Sequence, residues 1–208
     1  MSIKVLDELV STKIAAGEVI ERPVSVVKEL IENALDANAT TLEIEIEKGG
    51  FELIRVTDDG NGIPNGELDL ALTRHATSKI VSVEDLEIIN SFGFRGEALA
   101  SISSISNIIL VSREPHATRA SYIVAHSGEI IESGYQGSKI GTSISVENLF
   151  QNVPARLSFM KSAASEARRC TTLVGQYAIA HPEVSFKIFR DGNCLLYTSP
   201  SPRDAPLA

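Results

Sequence analysis

Between Pro23 and Thr57 the apolar residues of this chain change from a helical period to strict alternation, which requires one helix followed by a β-hairpin. Pro23 suits a first helical turn, and Val24, Val27, Leu30, Ile31, Ala34 and Leu35 then trace one apolar face. Glu29, Asn33 and Asp36 fall together opposite that face. Leu42, Ile44 and Ile46 alternate with Glu43, Glu45 and Glu47, the pattern of a half-buried strand with a solvated acidic side. Gly49-Gly50 turns the chain into a second strand over 51–57.

The rest of the chain mixes both periods. A helical pattern resumes over 67–74, Ser82-Val-Glu-Asp85 caps a short helix ending near Asn90, and 97–103 reads as helix. Strands follow over 105–113, 121–126, 129–133 and 142–147. Pro154 opens a short helix, 162–180 forms a longer one stopped by His181-Pro182, and 184–190 is a last strand running into an Asp191-Gly192-Asn193 turn. This order predicts an α+β fold, a two-layer sandwich in which a mixed, mostly antiparallel sheet carries helices on one face. The composition changes from Cys194 onward. Thr198-Ser-Pro-Ser-Pro-Arg-Asp-Ala-Pro206 is rich in Pro and Ser and cannot continue a strand. The domain is therefore expected to span 1–193, with 194–208 a disordered or non-native tail, such as translated adapter sequence.

Charge narrows the function. Lys plus Arg count 19 and Asp plus Glu 27 in 208 residues, a net charge of −8. That argues against a DNA-binding module whose affinity rests on a basic face. It permits a nucleotide pocket, where a few oriented donors matter more than net charge. Met1-Ser-Ile-Lys-Val-Leu-Asp-Glu8 carries acids where a signal peptide has its apolar core, and no run approaches membrane-spanning length. Cys170 and Cys194 fit neither a zinc pattern nor a disulfide framework. A reducing, cytoplasmic setting without a membrane partner is expected.

Three elements carry the chemistry. Glu29 and Asn33 are four residues apart, so a helix stacks them ~6 Å apart at Cβ. The carboxylate there can activate a water and the amide oxygen can bind Mg²⁺, although a solvated polar face has the same pattern. Asp58 ends a strand and is followed by Gly60 and Gly62. It is either an ordinary turn acid or an acceptor for an adenine amino group, with the glycines letting the base approach. Gly93 and Gly96 flank Phe94-Arg95 before a helix beginning near Glu97, where backbone amides on a pliant loop make an anion nest. Thr77-Ser78-Lys79 adds hydroxyls and a cation. Gly137-Ser-Lys-Ile-Gly-Thr142 lacks the Gly-Lys-Ser/Thr order of a Walker A loop. His75, His116, His126 and His181 are scattered and form no metal or hydrolase motif. Phosphoryl chemistry is the one catalytic class this set supports.

Taken in order, these elements resemble the ATPase superfamily of gyrase, the ninety-kilodalton heat-shock chaperones, histidine kinases and MutL. Ile14-Ala-Ala-Gly-Glu-Val-Ile-Glu-Arg-Pro23, Arg74-His-Ala-Thr-Ser-Lys79, Gly93-Phe-Arg-Gly-Glu-Ala-Leu-Ala-Ser-Ile102 and Asn152-Val-Pro-Ala-Arg156 resemble its MutL branch. The likeness covers 3–193 and implies a Bergerat-type ATPase fold and an ATP-operated role in DNA mismatch repair. Carried over by position, Glu29 would be the general base and Asn33 the Mg²⁺ ligand. Asp58 would read adenine on a turn shaped by Gly60 and Gly62, and Thr77 and Lys79 would lie near the nucleotide. Gly93, Phe94, Arg95, Gly96, Glu97, Ala98 and Leu99 would form a lid over the phosphates, with Thr142 beside the adenine.

The family further implies an ATP-dependent N-terminal dimer, a mismatch-recognition partner of the MutS type, and weak, non-specific contact with DNA. An alternative is a nucleotide-gated interaction module with little hydrolysis of its own, or a gyrase-like relative. Two departures stand out. Asp59 occupies a place where Asn is frequent. The family's second, transducer domain, which supplies a phosphate-sensing lysine, and its C-terminal dimerisation region lie beyond this sequence, so weak hydrolysis and no nuclease activity are expected of it.

Overall fold

In the computed structural model, residues 7, 16, 19–77, 79, 92–93 and 96–199 are described. Pro23–Asp36 is helical (α1), with Pro23 in the first turn where its missing amide costs nothing. Val26, Val27, Leu30, Ile31 and Ala34 are buried on its inner side, while Val24 and Leu35 lie at the margin. Glu32 is buried among them, which the apolar stripe alone does not predict.

The expected hairpin follows as β1 (Thr41–Glu47) and β2 (Leu53–Asp58), joined by a tight turn at Lys48–Gly50. The pairing runs from Leu42 opposite Asp58 to Glu47 opposite Leu53, which fixes where β2 ends. β3 (Asn107–Arg113), β4 (Ala120–His126), β5 (Glu129–Gln136), β6 (Gly141–Glu147), β7 (Ser185–Arg190) and β8 (Asn193–Tyr197) complete an eight-stranded sheet in the order β5-β4-β3-β6-β2-β1-β7-β8. β1 and β7 are parallel and the other neighbours antiparallel.

The remaining helices are α2 (Leu68–Ala71), α3 (Ala98–Ser104), α4 (Pro154–Ser158) and α5 (Ala163–Ala180). Ile44, Ile54, Val56, Ile108, Leu110, Val146, Phe186 and Ile188 form the sheet's contribution to one core, closed by Val27, Leu30 and Ile31 of α1 and Cys170 and Val174 of α5. Alternate residues point away from that core: Arg55 pairs with Glu45 at 2.6 Å and bonds Ser145 on the solvated side. The α+β sandwich expected from the sequence is present, with helices packed on one face of a mixed sheet. No helix among the described residues is long and apolar enough to cross a membrane.

Three elements differ from their sequence patterns. The helix expected over 67–74 is a tight turn at Asn65–Glu67 followed by the four residues of α2, because Leu68 alone is buried and Leu70 is 53% exposed. The short helix expected over 82–90 lies outside the described residues. The break expected at Cys194 falls inside β8. Asp191 and Gly192 both have positive φ (48° and 77°), the two-residue hairpin geometry that an Asp-Gly pair favours, and Arg190 pairs with Asn193 across it. Thr198 then exchanges backbone bonds with Phe186: its amide donates to the Phe186 carbonyl at 2.9 Å, and its hydroxyl accepts from the Phe186 amide at 2.9 Å. Residues 200–208 lie outside the described residues.

Candidate functional site

The C-terminal half of α1, the turn after β2, α2, the start of α3 and the start of β6 surround a cleft of about 1830 Å³. It brings together Glu29, Asn33, Asp58, Gly62, Thr77, Lys79, Gly93, Gly96, Glu97, Ala98, Leu99 and Thr142, residues spread over more than half the chain. Gly60 is buried behind the wall and contributes through its amide. Phe94 and Arg95 lie outside the described residues.

β2 ends at Asp58 and delivers its carboxyl to the inner end of the cleft. Oδ1 accepts from the amide of Gly60 at 2.8 Å and from that of Thr142, at the start of β6, at 3.2 Å. Among the described residues no donor reaches Oδ2. Burial pushes the carboxyl up to about 6 against the pull of the two amides, so the group is largely ionised at neutral pH with one oxygen free. The turn that follows is braced by close backbone contacts. A Cβ on Gly60 would lie 2.7 Å from the Ala37 carbonyl, and Gly62, at φ +71°, has no room for one beside the Arg113 carbonyl. Asn61 donates to the Ala37 carbonyl at 2.9 Å, which ties the turn to the end of α1.

Asp59 does not enter the cleft. Its carboxylate accepts from the Thr40 amide (2.7 Å), the Thr40 hydroxyl (2.7 Å) and the Thr41 amide (2.8 Å), so it closes the start of β1 against the turn. Partial burial opposes its charge, but the Thr40 and Thr41 donors outweigh it and hold the carboxyl below its ordinary value. Thr142 is equally well held, with its hydroxyl 2.8 Å from that of Ser112.

On α1, Glu29 and Asn33 line the cleft rather than a solvated surface. The Glu29 side chain is 28% exposed, and Lys28 Nζ donates to its Oε1 at 3.4 Å. Asn33 Oδ1 accepts from Lys79 Nζ at 3.0 Å, and the same ammonium pairs with Asp36. Asp36 also accepts the Phe92 amide at 3.1 Å. Thr77 accepts the Lys79 amide at 3.1 Å, so the Thr77–Lys79 stretch is fastened to α1 by its own turn and by its cation. Asp36, which sequence reasoning did not single out as a site residue, lines the cleft beside Asn33. Its spacing of three from Asn33 and seven from Glu29 is the signal that marks it. His75 is exposed at the rim of the cleft, with Nδ1 3.3 Å from Glu97.

Among the described residues no group of three or more His, Cys, Asp or Glu side chains could hold a metal by itself. The side-chain oxygen of Asn33 suits a Mg²⁺ that retains several waters. Lys79, lodged between Asn33 and Asp36, shows that this place favours positive charge.

A family model described as "Histidine kinase-, DNA gyrase B-, and HSP90-like ATPase" matches residues 21–157. The chain is 50% identical over 198 residues to the DNA mismatch repair protein MutL of Trichlorobacter lovleyi, covering 95% of this chain and 34% of that protein. It is 48% identical over 207 residues to the MutL of Symbiobacterium thermophilum, covering 99% and 32%. The chain thus spans about a third of the length of the curated relatives it matches. Among solved structures, the Aquifex aeolicus MutL ATPase domain complexed with ADP matches with a TM-score of 0.70 and 38% identity, over 88% of this chain and 65% of that one. The N-terminal domain of a DNA repair protein matches with a TM-score of 0.76 and 29% identity, over 90% and 56%.

Proposed function

The chain belongs to the histidine kinase-, DNA gyrase B- and HSP90-like ATPase family, in its MutL branch, and from that premise we propose that it is the ATP-binding, ATP-hydrolysing region of a DNA mismatch repair protein. The observation that carries the reading is Asp58, a half-buried carboxylate with one oxygen satisfied by two amides and the other free in the cleft. Such an oxygen accepts the exocyclic amino group of adenine and rejects a base that presents a carbonyl there.

Phosphates then extend along α1. Glu29 takes a proton from the water that attacks the γ-phosphorus; the new P–O bond forms as the bond to the bridging β–γ oxygen breaks, releasing ADP and phosphate. Asn33 would hold Mg²⁺, which when bound neutralises charge on the β- and γ-phosphate oxygens. Thr77 and Lys79 contact the phosphates, and the stretch from Gly93 through Phe94, Arg95, Gly96, Glu97 and Ala98 to Leu99 closes over them. Thr142 supports the adenine side through its amide bond to Asp58.

One observation favours a second, compatible emphasis. Both ammonium groups lining the cleft among the described residues, Lys28 and Lys79, are already engaged by carboxylates. Among the described residues little positive charge is therefore left to stabilise the transferring phosphoryl group, and residues 1–208 alone hydrolyse ATP slowly. Binding then acts chiefly as a switch: ATP promotes an N-terminal dimer that signals to a MutS-type protein in the cytoplasm, with weak and non-specific DNA contact, and hydrolysis resets it.

Calorimetry with ATP and ADP, with and without Mg²⁺, tests the binding step. Glu29→Ala should leave affinity intact and lower turnover by about 10²–10⁴-fold, whereas Asn33→Ala should weaken Mg²⁺-ATP itself. Equal loss of binding in both variants contradicts this division of roles along α1.

A further inference from the structure

We propose that Tyr177, on α5, is a positioning residue for Glu29, acting through Glu32 and Lys28. The proposal rests on the reading of Glu29 as the general base. Tyr177 donates its hydroxyl to Glu32 Oε1 at 2.7 Å, and Lys28 donates to Glu32 Oε2 at 2.6 Å and to Glu29 Oε1 at 3.4 Å. Tyr177 and Glu29 are far apart in sequence, yet three polar contacts connect them.

Glu32 is the pivot. It is buried on the inner side of α1, where a lone carboxylate is costly, and each of its oxygens has one donor. Burial and the Glu32 carboxylate both raise the Tyr177 hydroxyl well above its ordinary value, so it stays a donor. Burial opposes the charge on Lys28, but its bonds to Glu32 and Glu29 outweigh this and hold the ammonium above its ordinary value. With Tyr177 satisfying one oxygen of Glu32, Lys28 is shared between the two acids and anchors Glu29 in one orientation. Without the hydroxyl, Glu32 must draw the whole of its compensation from Lys28, and Glu29 loses its tether. The Tyr177 ring is itself fixed: it stacks on His181 at 6.2 Å, and His181 meets the edge of Phe92 at 5.7 Å.

The test uses Tyr177→Phe, which removes one oxygen and keeps the ring. In the full-length protein, kcat should fall roughly tenfold while KM for ATP stays within about twofold. In a Lys28→Met background, Tyr177→Phe should have no further effect, because the tether it supports is already gone. In the nucleotide-free protein, the ¹⁵Nζ resonance of Lys28 should move in Tyr177→Phe and not in a surface control such as Lys139→Gln. Independent, additive losses in the double variant, or an unchanged kcat and Lys28 resonance, overturn the proposal. If Glu29→Ala itself hydrolyses ATP at the wild-type rate, the assignment of the base fails instead, and the two failures are separately visible.

Discussion

Lys79 Nζ lies 3.0 Å from Oδ1 of Asn33, so a side-chain ammonium donates to the oxygen proposed to bind Mg²⁺. The same ammonium is paired with Asp36, three residues further along α1, whose other oxygen holds the Phe92 amide.

Asp36→Ala removes the acceptor shared by Lys79 and Phe92. Protection of the Phe92 amide in hydrogen exchange should fall in the nucleotide-free protein, because its hydrogen bond is lost. Unchanged protection would show that this contact does not hold the segment.

Asp58→Asn should trade binding for stability. The folded carboxyl is raised from 3.8 to about 6, so its favourable contribution is present below 3.8 and is lost as pH rises through about 6. At pH 7 the half-buried ionised group is a cost on the order of 1–3 kcal/mol, and an amide that cannot ionise removes it. The variant should melt higher than wild type at pH 7, with the gap closing toward pH 4. Its amide nitrogen would face the amino group of adenine, so ATP affinity should drop by at least tenfold. Calorimetric titration and melting curves across that pH range check both halves.

Asp59 works with the opposite sign. Its carboxyl is held below its ordinary value, so its contribution is present at neutral pH and is lost as pH falls through the folded value. Asp59→Ala should cost about 1 kcal/mol at pH 7, moderated by solvent exposure, and less in acid. Asp59→Asn keeps an acceptor for the Thr40 and Thr41 amides and should cost less. Urea unfolding of both variants at pH 7 and pH 3 measures the difference.

Truncation after Asn193 should destabilise the domain, because it removes β8 from β7 and strips Thr198 from Phe186. In urea unfolding, residues 1–199 should be more stable than 1–193, by about 1 kcal/mol or more. Equal midpoints would return 194–199 to the status of a tail.

Much of this fold is written in local patterns. The switch of period between Pro23 and Thr57 specifies α1 and its hairpin because side-chain direction repeats every 3.6 residues in a helix and every two in a strand. The same rule stacks Glu29 on Asn33, and the pairing of Leu42 with Asp58 sets where β2 releases its carboxyl. Chain order and residue type singled out Asp58, Thr77 and Lys79, and the family resemblance added Thr142; all four line the cleft. What they could not supply was the contact between residues distant in sequence. The neighbour of Asp58 is the Thr142 amide, the partner of Asn33 is Lys79, and the acid buried on the apolar side of α1, Glu32, is satisfied by Tyr177 from α5. The Pro/Ser composition after Thr198 likewise masked β8, the strand that follows the Asp191-Gly192 turn. Periodicity records which way a side chain faces, whereas its charge state and partner depend on which other element the sheet order brings against it; only the tertiary structure decides that.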